Sequence, residues 1–464
     1  MDTVRYPSYR DSGLPWVPEI PEGWQVLRNG RLFAHRVQTG FPDLPILEVS
    51  LRTGVRVRDM ENLKRKQVMS QKEKYKRAAK GDIAYNMMRM WQGALGAAPV
   101  DGLVSPAYVV ASPFPEANSA YYSYLFRTAA YMREVNKFSR GIVSDRNRLY
   151  WDEFKQMPSL LPPRDEQEQI VAYLRVQDAH IARFIKAKRE LIKLLIEQKL
   201  QIIDQAVTRG LDPSVQLKPT GIEWLGDIPE HWEAKRLKNI ADVILGKMLT
   251  TEEKSDGDFK PYLRSTNIQW LTPDIRDIRE MWIANSEKSQ LRVKKGDLLV
   301  SEGGEVGRAC LWNDELPECY IQNSVHRIAV KQEMLSEFLY LQFFANGKRG
   351  RFESIVNRVS IAHLTREKLV NVVFAVPPVE EQRIILDRVE VDGQPLDEAI
   401  ERTKREIDLL REYRDRLIAD VVTGQIDVRN WLPGPDDVVA EENLAALGGD
   451  EDLEANGEEE NGEE

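Results

Sequence analysis

Apolar side chains recur at alternating intervals of four and three residues along two long, highly charged stretches. The first seam contains Ile181, Ile185, Lys188, Ile192, Leu195, Lys199 and Ile202, and the second contains Leu396, Ile400, Thr403, Ile407, Leu410, Arg414 and Leu417. This spacing is typical of a coiled coil. A single helix leaves such a stripe exposed to water, and both stripes are polar at equivalent places. We therefore predict two long helices that pack on each other, in preference to two unrelated surface helices.

Both stretches open on similar runs of residues, 215 positions apart. Leu161–Gln167 reads Leu-Pro-Pro-Arg-Asp-Glu-Gln, and Val376–Gln382 reads Val-Pro-Pro-Val-Glu-Glu-Gln. Proline presets the first helical turn and acidic residues favour a helix N-terminus, so each Pro-Pro pair predicts a helix start. Because Gly393-Gln394-Pro395 interrupts the second copy, we expect that helix to restart at Leu396.

A second repeat precedes each helix. The residues Gly13, Trp16, Ile20, Pro21 and Trp24 return 208 positions later as Gly221, Trp224, Ile228, Pro229 and Trp232. A repeat of this length marks duplicated architecture. The roughly 140 residues between each lead-in and its helix differ strongly between the copies. The chain therefore carries two variable domains of one kind.

Inside the variable domains, short alternating apolar runs are separated by Gly, Pro, Asn and Asp, which predicts strands and turns. Such runs include Ile46–Val49, Tyr108–Val110 and Arg327–Val330, and helices are predicted at Ser119–Asn136 and Leu335–Ala345. The fold class is therefore α+β. It consists of two α/β domains in tandem, separated and joined by two long helices packed as an antiparallel coiled coil.

Five parts are predicted along the chain. They are the first variable domain with its lead-in (1–160), the first helical spacer (161–215), the second variable domain with its lead-in (216–375), the second helical spacer (376–432) and an acidic tail (433–464). We expect the tail to be disordered. We expect the tail either to act only as a charged, solvated chain end or to have a regulatory or DNA-mimicking role.

The formal charge of −9 is concentrated in that tail, which holds 13 Asp and Glu and no Lys or Arg. The remaining body has 65 basic and 61 acidic residues. Because a local basic surface is what binds nucleic acid, the acidic total does not exclude it.

Cysteine and histidine usage excludes several classes of protein. Only Cys310 and Cys319 are present, which excludes a disulfide framework and suits a reducing cytosol. The five histidines show no metal-ligand spacing, and no apolar run approaches the roughly 18 residues that span a bilayer. We therefore expect a cytoplasmic protein without a metal site or a membrane segment.

The order of these parts resembles the specificity subunits of type I restriction-modification systems over about residues 12–432. The most specific matches are the lead-in Thr220–Trp232 and the two Pro-Pro-x-x-Glu-Gln helix starts. The helices also share Thr-x-x-(Leu/Ile)-Asp ends, at Thr208 and Thr423. The run Asn86–Gly93, followed by Ser105–Tyr108, is similar to the variable domains of that family.

The resemblance implies two target-recognition domains, each reading one half of a bipartite site in double-stranded DNA, with the helices as an antiparallel spacer. It also implies docking of two methyltransferase subunits, with restriction and translocase subunits in the full complex. S-adenosylmethionine would then be bound by the methyltransferase partner, and this chain would bind no cofactor. A partner would flip and methylate an adenine, because the target amino group is stacked inside the duplex.

Candidate DNA contacts are basic or amide residues in turn-rich parts of the variable domains, because such side chains read base edges and hold phosphates. In the first domain they are Arg52, Arg56, Arg58, Lys64, Arg65, Lys66, Arg89, Arg140, Arg146 and Arg148. In the second they are Arg264, Asn267, Arg308, Arg327, Arg349, Arg351, Asn357 and Arg358. Trp270 and Trp282 are candidate stacking or packing aromatics. A solvated surface role is the alternative for each of these residues.

Two other classes of function fit the sequence less well. Neither Pro-Pro pair has the preceding polar residue and following aromatic of a methyltransferase motif, and Gly303-Gly304 lacks the Gly-Lys-Ser or Gly-Lys-Thr of a P-loop. We therefore predict a non-catalytic chain. A coiled-coil adaptor that binds only proteins is the alternative. It explains the helices but not the duplicated, Arg-rich variable domains.

Overall fold

A computed structural model describes residues 4–51, 54–58, 72–141, 147–253, 256–354, 364–439 and 444–447. The chain divides into two compact units. The first unit comprises residues 1–191 and 403–464, and the second comprises residues 192–402. Each unit combines one variable region with a part of each long helix. The five-part division along the sequence stays a prediction.

In chain order, the first variable region and the helix that follows it contain β1 (Tyr9–Leu14), β2 (Val17–Pro21), β3 (Gln25–Arg28), β4 (Phe33–Arg36), β5 (Leu47–Ser50), β6 (Gly54–Val57), β7 (Lys76–Ala78), β8 (Ile83–Asn86), β9 (Leu95–Ala97), β10 (Gly102–Val104), β11 (Tyr108–Pro113), α1 (Ser119–Phe126), α2 (Ala129–Phe138), α3 (Trp151–Phe154), β12 (Pro158–Leu161) and α4 (Arg164–Arg209). A four-stranded antiparallel sheet in the order β4-β11-β8-β9 forms its centre.

The remaining elements are β13 (Leu217–Pro219), β14 (Asp227–Pro229), β15 (Glu233–Arg236), α5 (Leu237–Ile240), β16 (Ala241–Leu245), β17 (Asp258–Leu263), β18 (Arg279–Ile283), α6 (Asn285–Leu291), β19 (Leu298–Ser301), β20 (Ala309–Leu311), β21 (Tyr320–Ile321), β22 (Val325–Val330), α7 (Ser336–Lys348), α8 (Arg366–Leu369), β23 (Val373–Val376) and α9 (Val379–Val422). The central sheet of the second unit has the order β16-β22-β19-β20, which matches that of the first unit strand for strand. A second sheet, β18-β17-β21, lies beside it. The variable regions therefore share one skeleton.

The lead-in of each unit is buried against the start of a long helix. Trp24 Nε1 donates to Glu166 Oε1 at 3.0 Å, and Trp232 Nε1 donates to Glu381 Oε1 at the same distance. Both indoles are buried. The two glutamates are 215 positions apart, so the internal repeats of the sequence form equivalent contacts in the two units.

The long helices begin and end where their sequences change character. Each starts directly after a Pro-Pro pair, with Asp165 and Glu166 in the first turn of α4 and Glu380 and Glu381 in that of α9. Gly210 follows α4 and Gly424 follows just after α9, each with a φ of +73°. A left-handed residue after the last turn satisfies the final carbonyl groups, and glycine adopts it without a steric penalty.

The expected restart of the second helix at Leu396 was wrong, because α9 continues through Pro395. The fixed φ of proline is itself helical, so its cost inside a helix is a lost hydrogen bond and a local clash. Val389 and Ile400, on either side of it, are both buried and hold the helix against its surroundings. Helix α4 begins at Arg164, well before Ile181, the first residue of its apolar seam.

Within each unit, the segments of the two helices pack antiparallel. In the first unit Arg414 Nε donates to Asp178 Oδ1 at 2.6 Å, and Lys188 Nζ lies 2.6 Å from Glu406 Oε2. Residue numbers rise in one helix as they fall in the other. In the second unit Lys199 Nζ is 2.6 Å from Asp397 Oδ2. The polar seam positions Lys188, Lys199 and Arg414 thus form ion pairs between the two helices.

The structure places every predicted apolar seam residue on a buried or half-buried side of its helix. Those buried are Ile181, Ile185, Ile400, Ile407 and Leu417, and those half-buried are Ile192, Leu195, Ile202, Leu396 and Leu410.

The single helix predicted at Ser119–Asn136 is two helices. Asn118 caps the first by accepting from the backbone N–H of Ala120, and Thr128 caps the second by accepting from that of Tyr131. Both are favoured N-cap residues. At the break, the half-buried Arg127 side chain donates to the Leu51 carbonyl.

Of the predicted tail, residues 433–439 and 444–447 are described, and the rest lies outside the described residues. Asp437 Oδ1 lies 2.9 Å from His180 Nε2 on α4. Ahead of the tail, Trp431 packs edge-on against Tyr173, and its carbonyl accepts from the Gln169 side chain at 2.5 Å.

Candidate nucleic-acid interface

Four segments of the second unit meet at one edge of its central sheet. Strands β16, β17 and β19 end there, and β22 begins there, because Leu245 pairs with His326 and Ser301 pairs with Val325. The segments that leave these strands are residues 246–250, 264–271, 302–308 and 322–324. We call them the second crown. Apolar side chains are exposed in it at Met248, Leu249 and Leu271.

The turn at residues 322–324 is fixed from every side. The Gln322 N–H donates to the Leu263 carbonyl at 3.0 Å, and the Asn323 N–H donates to the Lys247 carbonyl at 2.8 Å. The Ser324 carbonyl accepts from the Glu302 N–H at 2.9 Å. A Cβ at Gly246 would lie 2.3 Å from the Gln322 carbonyl oxygen, so only glycine allows this approach. The turn is thus held rigidly against its three neighbouring segments.

At the corresponding edge of the first unit, the two central strands pair in the same way. Tyr108 at the start of β11 pairs with Asn86 at the end of β8. The segments there are residues 87–94 and 105–107, which we call the first crown. Its longer segment is ordered by local hydrogen bonds, since Asn86 Oδ1 accepts from the Met88 N–H at 2.8 Å and Trp91 Nε1 donates to the Met88 carbonyl at 2.9 Å.

A half-buried cation, Arg127, packs against the first crown. Arg127 Nη2 donates to the Leu51 carbonyl at 2.5 Å, and its Nη1 and Nε atoms lie close to Gly54 and Gly93. Burial, together with the Arg414 charge, lowers the pKa of Arg127 to about 10, against the opposite effects of Tyr124 and Asp178. The side chain therefore ties the hairpin β5–β6 to the crown.

Several candidate contacts of the first domain are accessible to a ligand. Arg56 forms an ion pair with Glu48, and Arg58 Nε lies 4.0 Å from the same carboxylate. Arg140 is 77% exposed at its side chain, although its Nε lies 2.8 Å from Glu153 Oε1. Arg148 pairs with Arg140 through the backbone and is exposed. Arg89 is half-buried within the first crown.

Three candidates of the second domain lie in the second crown, with different roles. Asn267 is buried, and its amide accepts from the Arg264 N–H at 2.9 Å and donates to the Asp274 carbonyl at 2.8 Å. It therefore shapes its loop. Arg264 pairs with Asp277, and Arg308 Nη2 donates to the Ser265 carbonyl at 3.0 Å, which joins two segments of the crown.

Arg327 lies in the interior. It is 7% exposed, its Nη1 lies 3.5 Å from Asp297 Oδ2, and Nη1 also donates to the Arg292 carbonyl at 2.6 Å. Burial raises the pKa of Asp297, and Arg327 opposes that rise. This environment favours a structural role for Arg327 over contact with DNA.

Arg349 and Arg351 point to helix α4. Arg351 makes a two-pronged contact with Asp204, at 2.5 and 2.9 Å, and Arg349 Nη1 donates to Glu197 Oε1 at 2.6 Å. These bonds tie the end of α7 to the helix. They give both arginines a stabilising role that their residue type alone did not reveal.

We predict that Arg351→Ala lowers the free energy of unfolding of the second unit by about 1 kcal/mol, because a bidentate, half-buried ion pair is lost. The salt dependence of DNA affinity should stay unchanged, since no phosphate contact is removed. Urea unfolding and DNA titrations at several salt concentrations measure both. A flatter salt dependence with unchanged stability would restore Arg351 as a DNA contact.

Seven candidate positions lie outside the described residues. These are Arg52, Lys64, Arg65, Lys66 and Arg146 in the first domain, and Asn357 and Arg358 in the second. The aromatic candidates are described. Trp282 is buried edge-on against Phe259, and Trp270 is half-buried beneath the Lys348 ammonium, 4.8 Å from its ring centroid.

A buried histidine makes the second unit sensitive to pH. His326 is fully buried in β22, its Nε2 donates to the Leu364 carbonyl at 2.9 Å, and burial, with a smaller effect of Arg366, lowers its pKa. Because the folded pKa lies below the unfolded value of about 6.5, the unfolded chain binds the proton more tightly. The contribution of the neutral His326 ring to the stability of the second unit is complete above about pH 6.5. It is lost progressively as the pH falls towards the folded pKa.

We therefore predict that the urea midpoint of the second unit falls between pH 7.5 and pH 5.5, and that it falls less in His326→Gln, which has no titrating ring. Equal decreases in the two proteins would assign the pH dependence to other groups.

Outside the crowns, large apolar side chains of the two helices face solvent. In the first unit Phe184 is 60% exposed and Tyr413 53% exposed, and in the second unit Leu194 is 57% exposed. In the described part of the chain, no helix is long and apolar enough to span a bilayer. Nor does any group of three or more His, Cys, Asp and Glu there form a metal site.

Comparison with known proteins shows what this chain is similar to. The family model for the type I restriction modification DNA specificity domain matches residues 229–409, which contain the second crown. This match, with the relatives described next, confirms the resemblance of the chain to the specificity subunits of type I restriction-modification systems.

Individual relatives extend the likeness along the chain. The MjaVIII specificity subunit of Methanocaldococcus jannaschii is 24% identical over 288 residues, which cover 60% of this chain and 64% of that protein. The EcoKI specificity subunit of Escherichia coli is 24% identical over 71% of this chain and 70% of its own length. This chain thus spans slightly less than two thirds of the first relative.

A solved structure shares the fold. It is a chain from a study of complex assembly and conformational transition in the type I R-M system, with a TM-score of 0.62 and 16% sequence identity. The match covers 88% of this chain and 99% of that one.

Proposed function

We propose that this chain is the DNA-recognition subunit of a type I restriction-modification complex. Each crown reads one half of a bipartite site in double-stranded DNA. The chain contributes recognition and positioning, and partner subunits carry out adenine methylation or DNA cleavage. The proposed role places the protein in the cytoplasm, with the DNA.

One observation carries this proposal. The two units share a central sheet of the same strand order, yet the segments at its equivalent edge differ in length and sequence. A common scaffold with different surface segments is suited to two ligands of one kind. Binding residues are commonly placed on loops that a rigid scaffold positions.

The exposed apolar residues of the helices support protein partners. Phe184 and Tyr413 expose more than half of their surface in the first unit. Large apolar side chains that are exposed on a protein surface can belong to a protein interface. We propose that two methyltransferase subunits dock on the helices, that restriction subunits join the full complex, and that S-adenosylmethionine is bound by the methyltransferase partner.

The test is single-molecule sequencing of adenine methylation in cells that express this chain with a type I methyltransferase subunit with which it assembles. The expected result is a motif of two short specified blocks around an unspecified gap, absent from cells without the chain. Exchange of residues 12–160 for those of another specificity subunit should change one block only. An assembled complex that produces no motif would contradict the proposal and favour an adaptor that binds only proteins.

A further inference from the structure

The turn before the central strand occupies the same place in both units. In the first unit the Tyr108 N–H donates to the Ser105 carbonyl at 3.0 Å, and in the second the Val325 N–H donates to the Gln322 carbonyl at 2.8 Å. Each turn also receives a backbone hydrogen bond from the segment that follows the neighbouring strand, through Met87 and Glu302 respectively. The two turns are therefore equivalent in backbone construction.

The side chains on these equivalent turns differ completely. The first carries Ser105-Pro106-Ala107, and the second carries Gln322-Asn323-Ser324. If packing alone fixed this turn, similar residues would serve in both units. A constant backbone with changed polar side chains is what two readers of different sequences require.

The two amides of the second turn are differently engaged. Gln322 Oε1 accepts from the Ser324 hydroxyl at 2.7 Å, so part of its hydrogen-bonding capacity is used inside the protein. Asn323 is half-buried, and its side-chain amide makes no hydrogen bond with the described part of the chain. An amide held on a rigid turn with both its donor and its acceptor available is preorganised for a ligand that offers both groups.

Resting on the proposed function, we infer that Asn323 is a specificity-determining residue of the second unit and that it reads adenine. Adenine presents an acceptor at N7 and a donor at N6 in the major groove, and the asparagine amide matches this pair. Gln322, partly engaged with Ser324, positions the turn and contributes a second contact. The half-site read by the second unit therefore contains an adenine.

The rigid setting makes this inference specific. Backbone hydrogen bonds link the turn to Lys247, Leu263 and Glu302, so a change at the Asn323 side chain leaves the backbone in place. Asn323→Asp keeps the size of the side chain but removes its donor, and Asn323→Ala removes both groups. Asn371→Ala is the control, because Asn371 is an exposed asparagine of the second unit that follows α8, outside the crown, where its amide donates to the Glu367 carbonyl at 2.8 Å.

The experiment uses the complete complex of the chain with its methyltransferase partner. Purified complexes are titrated against duplexes that carry each of the four base pairs at every specified position of the block read by the second unit. For the wild type and Asn371→Ala, one position should prefer adenine. In Asn323→Ala that preference should fall by roughly tenfold, as expected for loss of a bidentate base contact, with the other block unaffected.

Asn323→Asp should lose the preference for adenine to a similar extent. Retention of the wild-type preference in both variants, or a second-unit block without adenine, would overturn the assignment. If Asn323→Ala does not assemble, Asn323→Asp and Asn323→Ser decide, since both keep a polar side chain of similar or smaller size. Failure of the proposed function gives a different result. The wild-type complex then does not distinguish the four base pairs at any position, and the assignment of Asn323 is wrong as well.

Discussion

Trp232→Ala is expected to lower the free energy of unfolding of the second unit by about 3–5 kcal/mol. The indole is fully buried, donates to Glu381 at 3.0 Å and packs edge-on against Phe338. Its ring also lies 3.2 Å from where a Cβ at Gly210 would be. Removal leaves a large cavity where the lead-in, the end of α4 and the start of α9 meet.

Hydrogen exchange followed by mass spectrometry measures this loss unit by unit. Trp232→Ala should remove protection from the core of the second unit. The matched variant is Trp24→Ala, which should do the same in the first unit, because Trp24 makes the equivalent contact with Glu166. Unchanged protection around α4 and α9 in Trp232→Ala would show that the lead-in only covers the helices and does not hold them.

Asp297→Ala is expected to lower the free energy of unfolding of the second unit by about 3–5 kcal/mol, because it leaves the Arg327 guanidinium buried without its counter-charge. The two side chains are 7% and 8% exposed, and the variant also removes the acceptor of the Lys294 N–H, 2.7 Å away. Urea unfolding measures the change. A second substitution, Arg327→Met, should recover part of the loss by removing the unpaired charge.

The first unit supplies the control for this prediction. Asp82 occupies the equivalent turn and accepts from Arg36, but the Arg36 side chain is 23% exposed. Because water reaches that guanidinium, Asp82→Ala should cost less than Asp297→Ala. Equal losses would show that the turn hydrogen bonds, and not the buried charge, dominate at both positions.

The sequence predicted the duplicated scaffold well, because the evidence for it is local and periodic. The seams around Ile185 and Ile407 follow a helical repeat, and each Pro-Pro pair starts a helix. Pro395 misled the prediction because its penalty is local, whereas the packing that carries α9 through it comes from other parts of the chain. Helix propensity alone does not contain that packing energy.

The candidate interface was less predictable, because residue type does not determine exposure. Arg327 and Asn267 were named for their chemistry, and the structure buries both. Asn323 was missed because nothing in the local sequence distinguishes its amide from the other amides of the variable domains. Its setting depends on backbone contacts with Lys247, 76 positions earlier, which no local pattern records.

The two units differ in how their chain segments are distributed along the sequence. The second is continuous from residue 192 to residue 402, but the core of the first joins residues such as Ile170 and Leu174 to Val421 and Val422 near the other end of the sequence. During synthesis the second unit has all its residues available before the first does, and the first must wait for a loop of more than 200 residues to close. The nascent chain therefore carries an unfinished apolar surface until late in translation. We expect the amino-terminal half to depend on chaperones during synthesis, even though it leaves the ribosome first.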